Sequence, residues 1–128
     1  MIEPYTAAKT AAVVAGLALN VLRYIHSVRN APARSQQLRS QLGTVVQLAE
    51  YIEQLLNDKP QLPVTALQQA LNEFRTILDE LNHRTGEAST TGAKRYLWPF
   101  SEGETDKYLT DIEHYKTTFI SFFVVHNV

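Results

Sequence analysis

The chain contains no cysteine, which excludes a disulfide scaffold, thiolate zinc sites and a cysteine nucleophile. The same absence suits a reducing compartment. The sequence has no strand-like alternation of apolar and polar residues, no internal repeat and no low-complexity tract. Because hydrophobic residues make up 45% of 128 positions, the chain is long and apolar enough for one globular domain spanning residues 1–128.

Acidic residues are scarce near the N-terminus. Residues 1–40 hold five basic residues against Glu3, whereas residues 41–128 hold seven basic against twelve acidic residues. This asymmetry favours an anionic partner for the N-terminal part. Ion pairs between helices are an equally good interpretation of the same pattern.

The first predicted helix, about residues 5–29, contains the run Ala11–Leu19, which has no polar side chain. Its large residues recur at steps of three and four, which places them on one face: Val14, Leu17, Val21, Ile25 and Val28. The opposite face carries small residues, Ala8, Ala12, Gly16 and Asn20. We therefore predict a core ridge on one side and a smooth surface on the other.

Two membrane-related interpretations of this helix are disfavoured by the sequence. The uncharged run between Lys9 and Arg23 is shorter than the ~20 apolar residues of a bilayer span. A secretory signal needs a basic start, whereas Glu3 and Pro4 open this chain. The helix is predicted to belong to the mature domain.

Three further helices are predicted at about residues 33–57, 63–84 and 101–125. Each has an apolar seam with steps of four and three, typical of helices that pack on helices. The seams are Leu38, Leu42, Val45, Ala49, Ile52 and Leu56; then Leu67, Leu71, Phe74, Leu78 and Leu81; then Tyr108, Ile112, Tyr115, Phe119 and Phe122. The predicted fold is an all-α four-helix bundle, up-down-up-down.

The segment before the last helix has two distinct parts. Residues 85–94 are small and polar, which predicts a mobile loop between helices 3 and 4. Trp98, Pro99 and Phe100 then form an apolar group, predicted to plug one end of the bundle. Ser101 and Glu104 have the spacing of a capping box, in which each side chain bonds the backbone N–H of the other residue.

The sequence contains no complete motif for catalysis or ligand binding. Glu80 and His83 match the Glu-x-x-His of di-iron bundles, but the seam places both outside the core, as it does Asp111 and His114. The phosphate-loop pattern fails in residues 86–94 on spacing and lacks a preceding strand. Nucleic-acid binding through Arg23, Arg29, Arg34 and Arg39 lacks a recognition motif. We predict no enzyme activity, no cofactor, no metal and no nucleic-acid partner.

The segment from Leu97 to Glu102, which contains Trp98-Pro99-Phe100, and the helix that continues through residues 115–119 resemble fungal HeLo-like domains. These are N-terminal domains of NOD-like (STAND or NACHT) receptors and of associated cell-death effectors. The Ala/Gly/Leu/Val-rich first helix and the Leu-rich second helix are similar too, so the resemblance covers nearly the whole chain.

The resemblance implies a role in programmed cell death, fungal innate immunity and heterokaryon incompatibility. It implies a cytoplasmic domain at rest that moves to the plasma membrane and permeabilises it when a receptor signal clusters it. The implied partners are anionic lipids, further copies of the domain, and an upstream receptor or downstream domain. By position, the implied membrane-inserting residues are Val13, Val14, Leu17, Leu19, Val21 and Leu22, and the implied headgroup contacts are Lys9, Arg23 and Arg29.

A non-lytic alternative remains open at this point. A bundle at the N-terminus of a STAND NTPase receptor also serves as an adaptor or oligomerisation domain, which pairs proteins through helical faces and leaves membranes intact.

Overall fold

The computed structural model describes residues 4–28, 31–89 and 98–126. These residues form four helices, α1 (Pro4–Ser27), α2 (Ala33–Asp58), α3 (Thr65–Ser89) and α4 (Glu102–Val125). The described part of the chain contains no strand. The prediction of an all-α four-helix bundle is confirmed.

Contacts between helix ends give the directions of the helices. Arg34 and Asp106, both near the starts of their helices, lie 3.4 Å apart, so α2 and α4 run parallel. Gln68 in α3 donates a hydrogen bond to Thr10 in α1, so these helices also run parallel. α1 and α4 each pack against both α2 and α3. The helices alternate in direction along the chain, and α1 lies at the opposite corner from α4.

The seams predicted for α2 and α3 are buried at every position. In α4, Tyr108, Ile112 and Phe119 are buried, while Tyr115 and Phe122 are partly buried against the core. The steps of three and four in these helices therefore identified the packed faces correctly, because they recur at nearly the helical period.

The predicted core ridge of α1 is only partly right. Val14, Val21 and Ile25 are buried, but Leu17 is partly buried and Val28 is only half-buried. The other buried hydrophobic residues of α1 are Tyr24 and five alanines, Ala7, Ala8, Ala11, Ala15 and Ala18. Small side chains let the helix backbone approach α2 and α3 closely, which turns the face of larger residues partly outward. Of the predicted smooth face, only Ala8 is buried.

Two predicted boundaries of α3 are wrong. The helix begins at Thr65, and Pro63 and Val64 precede it; it also continues to Ser89, five residues past the predicted end at Arg84. Thr85 is 3% exposed and donates its hydroxyl hydrogen bond to the Asn82 carbonyl. The helix thus continues through Gly86, although glycine costs ~1 kcal/mol inside a helix. Residues 90–94 of the predicted mobile loop lie outside the described residues.

Candidate membrane-contacting face

The side of α1 that points away from the bundle is apolar in its middle and basic at both ends. Tyr5, Val13 and Leu19 are 65%, 38% and 37% exposed. Lys9 and Arg23 are exposed near the two ends of the same side. No acidic residue occurs between Pro4 and Ser27. We call this outward surface, from Tyr5 to Arg23, the outer face of α1.

The six residues predicted to insert into lipid do not share this surface. Val14 and Val21 are fully buried in the core, whereas Val13 and Leu19 are exposed. Leu17 and Leu22 are partly buried against the core. In the resting fold, lipid can reach only Val13, Leu19 and the edges of the two partly buried leucines. Val14 and Val21 can contact lipid only if α1 leaves the bundle.

The predicted headgroup contacts are placed in part. The Lys9 ammonium lies 5.3 Å from the centre of the Tyr5 ring, within the range of a cation–π contact. The Arg23 guanidinium donates to the Asn20 side-chain oxygen at 3.4 Å. The partners in these two contacts, the Tyr5 ring and the Asn20 amide, are neutral, so neither contact compensates the positive charge of Lys9 or Arg23. Arg29 lies outside the described residues.

The sequence analysis missed one cation on this side of the molecule. Arg75 of α3 borders a shallow groove of about 260 Å³ together with Tyr5, Lys9 and Val13. Its guanidinium lies 3.8 Å from the Asp79 carboxylate, an exposed contact that contributes little. No local pattern joins residue 75 to residue 9, since only the parallel packing of α1 and α3 brings them together.

A buried polar contact holds α1 against α3. The Gln68 side-chain amide donates to the Thr10 hydroxyl at 3.1 Å and to the Asn72 side chain at 3.0 Å. Gln68 and Thr10 are 4% and 7% exposed. Each partner also has a second hydrogen bond, from Thr10 to the Thr6 carbonyl and from Gln68 to Asn72, so loss of the contact between α1 and α3 should cost about 0.5–1.5 kcal/mol. This contact specifies the register between the two helices as well as contributing to their stability.

α1 is longer than the uncharged run between Lys9 and Arg23 on which the prediction against a bilayer span was based. The 23 residues Tyr5–Ser27 include an 18-residue stretch with a mean hydropathy of 1.4, so by length and composition alone this helix could cross a membrane. The charges of Lys9 and Arg23 fall near the ends of the helix, where long side chains reach the interface. In the resting fold, 44% of the 18-residue stretch is buried, and core helices of soluble proteins share this property.

The end of the bundle near Ser101 is closed as predicted. The Ser101 hydroxyl accepts from the Glu104 backbone N–H at 3.1 Å, and the Glu104 carboxylate accepts from the Ser101 N–H at 2.9 Å. Trp98 packs edge-on against Phe100 and donates its indole N–H to the Thr105 hydroxyl. Pro99 between them is half-buried. The capping box is confirmed, and Trp98 and Phe100 cover the start of α4.

Arg84 joins this cap to α3. Its guanidinium lies 2.6 Å from the second Glu104 carboxylate oxygen and 4.5 Å from the centre of the Phe100 ring. The Arg84 hydrogen bond, followed by the Ser101 N–H, lowers the pKa of Glu104 to about 2. One carboxylate therefore caps α4 and ties it to α3.

Acidification should weaken this contact. The pKa of Glu104 is lower in the folded state than its ordinary 4.5, so its stabilising contribution is complete above pH ~4.5 and is lost as the pH falls towards 2. Urea unfolding of the wild type and Glu104→Gln across this range measures the effect. The variant is expected to lose less stability on acidification than the wild type.

Arg84→Gln is the matched control, because it removes the largest cause of the lowered pKa while leaving the carboxylate in place. Arg84→Gln should therefore also reduce the fall in the free energy of unfolding between pH ~4.5 and pH ~2, as Glu104→Gln does. Equal acid sensitivity of the wild type and Glu104→Gln would contradict the assignment.

Glu80 of the possible di-iron motif binds a tyrosine in the structure. Glu80 accepts a hydrogen bond from the Tyr108 hydroxyl at 2.8 Å, and His83 is exposed. Burial raises the pKa of Tyr108, so the phenol remains a donor. Within residues 4–28, 31–89 and 98–126, no group of three His, Asp or Glu residues is placed to hold a metal ion.

Ion pairing inside the bundle accounts for part of the charge asymmetry. Arg34, from the basic N-terminal part, lies beside Asp106 of the acidic part. Lys9 and Arg23 have no carboxylate on their own helix. Ion pairing therefore accounts for Arg34, whereas an anionic partner for Lys9 and Arg23 stays a prediction.

Comparison of the chain with protein-family models, with curated proteins and with solved structures finds no match. The HeLo-like assignment stays a prediction based on the sequence motifs.

Proposed function

We propose that this domain is a membrane-targeting cell-death effector that permeabilises an anionic plasma membrane when an upstream receptor signal clusters it. The observation that carries the proposal is the outer face of α1, where exposed apolar residues lie between Lys9 and Arg23 without a carboxylate on the helix. Each cation near an anionic surface contributes about 1 kcal/mol to binding. The death role and the clustering signal rest on the resemblance to HeLo-like domains.

The energetics of α1 imply that membrane binding and membrane insertion are two separate stages. Contact through Val13 and Leu19 leaves the core intact and is therefore the first stage. Insertion exposes Val14, Val21 and Ile25, whose burial is worth about 1.5–3 kcal/mol each. This sum is comparable with the whole stability of a domain. Insertion therefore depends on lipid to rebury these side chains and on clustering to drive the equilibrium.

Vesicle experiments test the proposal. The protein should sediment with phosphatidylserine-containing vesicles, more weakly with phosphatidylcholine vesicles or at high salt, and release entrapped dye as the protein-to-lipid ratio rises. Val13→Glu and Leu19→Glu should each weaken binding roughly tenfold or more. Both sites are exposed, so the variants should keep the wild-type circular dichroism spectrum.

Gln47→Glu, which adds the same charge on an exposed position of α2, is the matched control and should bind like the wild type. Wild-type protein that leaves anionic vesicles unbound and intact at every ratio would refute the proposal.

A specific surface favours the adaptor alternative. A groove of about 480 Å³ between the start of α3 and the end of α4 is lined mostly by apolar residues, including Leu67, Phe122 and Val125. Helical proteins use such grooves to bind partner helices. In this case the clustered domain would leave vesicles intact, and Leu19→Glu would have no effect on assembly.

A further inference from the structure

The shallow groove between α1 and α3 contains two cations and no carboxylate. Tyr5, Thr6, Lys9, Thr10 and Val13 of α1 and Arg75 of α3 line this groove, which has a volume of about 260 Å³. None of these six described residues is acidic. Asp79, whose carboxylate lies 3.8 Å from Arg75, is not among them. Folding therefore brings two positive charges to one groove whose own lining supplies no negative charge.

The packing of α1 on α3 determines where the two cations lie. The buried Gln68 side chain donates to the Thr10 hydroxyl at 3.1 Å, which sets the register between the helices. Arg75 follows Gln68 by seven residues, so it lies on the same face of α3. Helical side chains incline towards the N-terminal end of their own helix. Because α1 and α3 are parallel, this direction takes the Arg75 side chain back towards the level of Lys9.

Two like charges at a contact between helices oppose the docking of α1, because Coulomb repulsion between them raises the energy of the docked state. Protein sequences break such local rules chiefly at functional sites. An anion that contacts both Lys9 and Arg75 replaces the repulsion by two attractions. It binds best while both cations line one groove, which is the case only when α1 is docked.

The donors in the groove match a phosphate monoester. The Lys9 ammonium has three N–H donors, the Arg75 guanidinium has five, and neither group can accept a hydrogen bond. A phosphate monoester carries a charge of about −1.5 to −2 at pH 7 and three acceptor oxygens, so it offsets both cations, whereas a carboxylate offsets one. The groove is also smaller than the ~300–1,000 Å³ of pockets for drug-sized molecules, which favours a small headgroup.

We infer that this groove binds a phosphate monoester between Lys9 and Arg75 and thereby holds α1 on α3. The inference rests on the proposed function, because it names the headgroup chemistry that docked α1 recognises. The same chemical group occurs in lipids such as phosphatidic acid and in soluble phosphate compounds. From either source the ligand contacts two helices at once, so it stabilises the docked state and opposes the insertion of α1.

Inorganic phosphate is the first probe of this site. Nuclear magnetic resonance of the nitrogen-labelled protein, with phosphate replacing chloride at constant ionic strength, should show saturable shifts at the Lys9 amide and the Arg75 Nε. Lys9→Gln and Arg75→Gln should each weaken binding roughly tenfold or more, since each removes charged hydrogen bonds. Arg39→Gln is the matched control, because it removes the same charge at an exposed position of α2 and should bind phosphate like the wild type.

The stabilisation of docked α1 has a separate measurement. Phosphate at about ten times its dissociation constant should raise the folded-to-unfolded ratio of the wild type about tenfold, as determined by urea unfolding at constant ionic strength. Phosphate also stabilises proteins through its exclusion from their surfaces, and Arg75→Gln retains that general effect. An equal gain in stability for the wild type and Arg75→Gln would overturn the inference.

Vesicles distinguish a lipid source of the phosphate from a soluble one. Phosphatidic acid carries a monoester and phosphatidylglycerol a diester, and the two vesicle types are matched for surface charge. If the ligand is a lipid, the wild type should bind phosphatidic acid more tightly, and Arg75→Gln should lose this preference. Equal binding to both lipids, together with a saturable response to inorganic phosphate, would assign the site to a soluble phosphate compound.

The site and the proposed function can fail separately. Phosphate titrations without saturable shifts at Lys9 and Arg75, or with shifts that persist in Arg75→Gln, would overturn the inference. If the wild type nevertheless binds and permeabilises anionic vesicles, the proposed function stands without this site. If the wild type binds no vesicles but phosphate saturates the groove, the proposed function fails, and the site stands as one for a soluble phosphate compound.

Discussion

Replacement of Phe74 by alanine is expected to lower the free energy of unfolding by about 3–5 kcal/mol. Phe74 is fully buried. Its ring stacks on Tyr115 with centroids 5.2 Å apart and meets Phe119 edge-on at 5.7 Å. The substitution removes both aromatic contacts and leaves a cavity between α3 and α4. Domains of this kind have a total stability of about 5–15 kcal/mol, so the loss is a large fraction.

Urea unfolding followed by circular dichroism measures this effect. Tyr51→Ala is the control, because Tyr51 is an aromatic residue that is 61% exposed, and its loss should shift the midpoint little. A Phe74→Ala variant as stable as Tyr51→Ala would show that the α3–α4 aromatic cluster does not carry the packing described above.

Replacement of Ala18 by leucine should weaken the attachment of α1 and increase membrane activity together. Ala18 is fully buried, and the enlarged side chain has to displace neighbours, which costs about 1–3 kcal/mol. If insertion requires α1 to leave the bundle, the same free energy lowers the barrier to insertion. Since 1.4 kcal/mol is a tenfold change, dye release without clustering should rise roughly tenfold to a hundredfold.

The variant Gly16→Leu distinguishes the effect of weakened core packing from the effect of a more apolar α1. Gly16 lies on the outer face of α1, and no atom lies within 4 Å of a Cβ placed there. The variant also adds apolar surface but does not overpack the core. Because glycine costs about 1 kcal/mol inside a helix, the variant should be at least as stable as the wild type and release less dye than Ala18→Leu. Equal dye release by both variants would show that apolarity alone controls insertion.

The sequence predicted most of the fold because local periodicity determines which helix faces pack. Leu38 to Leu56 in α2 and Leu67 to Leu81 in α3 follow one repeat, and these helices need only one apolar stripe. Ser101 and Glu104 were predictable for a different reason, since a capping box forms within four consecutive residues. Neither feature depends on the rest of the chain.

The features that the sequence did not predict depend on tertiary packing. The middle of α1 is apolar on nearly all sides, so its pattern did not distinguish the buried alanine face, including Ala11 and Ala18, from the side that leaves Val13 and Leu19 exposed. The α1 face that is buried depends on how closely α2 and α3 approach. The same holds for Thr85, which stays helical because it is buried, and for Arg75, which lies near Lys9 only after the bundle forms.

The corner position of α1 has a consequence for the opening of the bundle. One covalent connection, at its C-terminal end, joins α1 to the other helices of this chain, and α4 still contacts both α2 and α3 without it. However, α1 supplies most of the packing between helices, and α3 contacts α4 only lightly, so detachment of α1 opens most of the bundle. Amide hydrogen exchange should therefore show Val14 and Val21 exchanging through an opening of about the same free energy as Leu71 and Leu78.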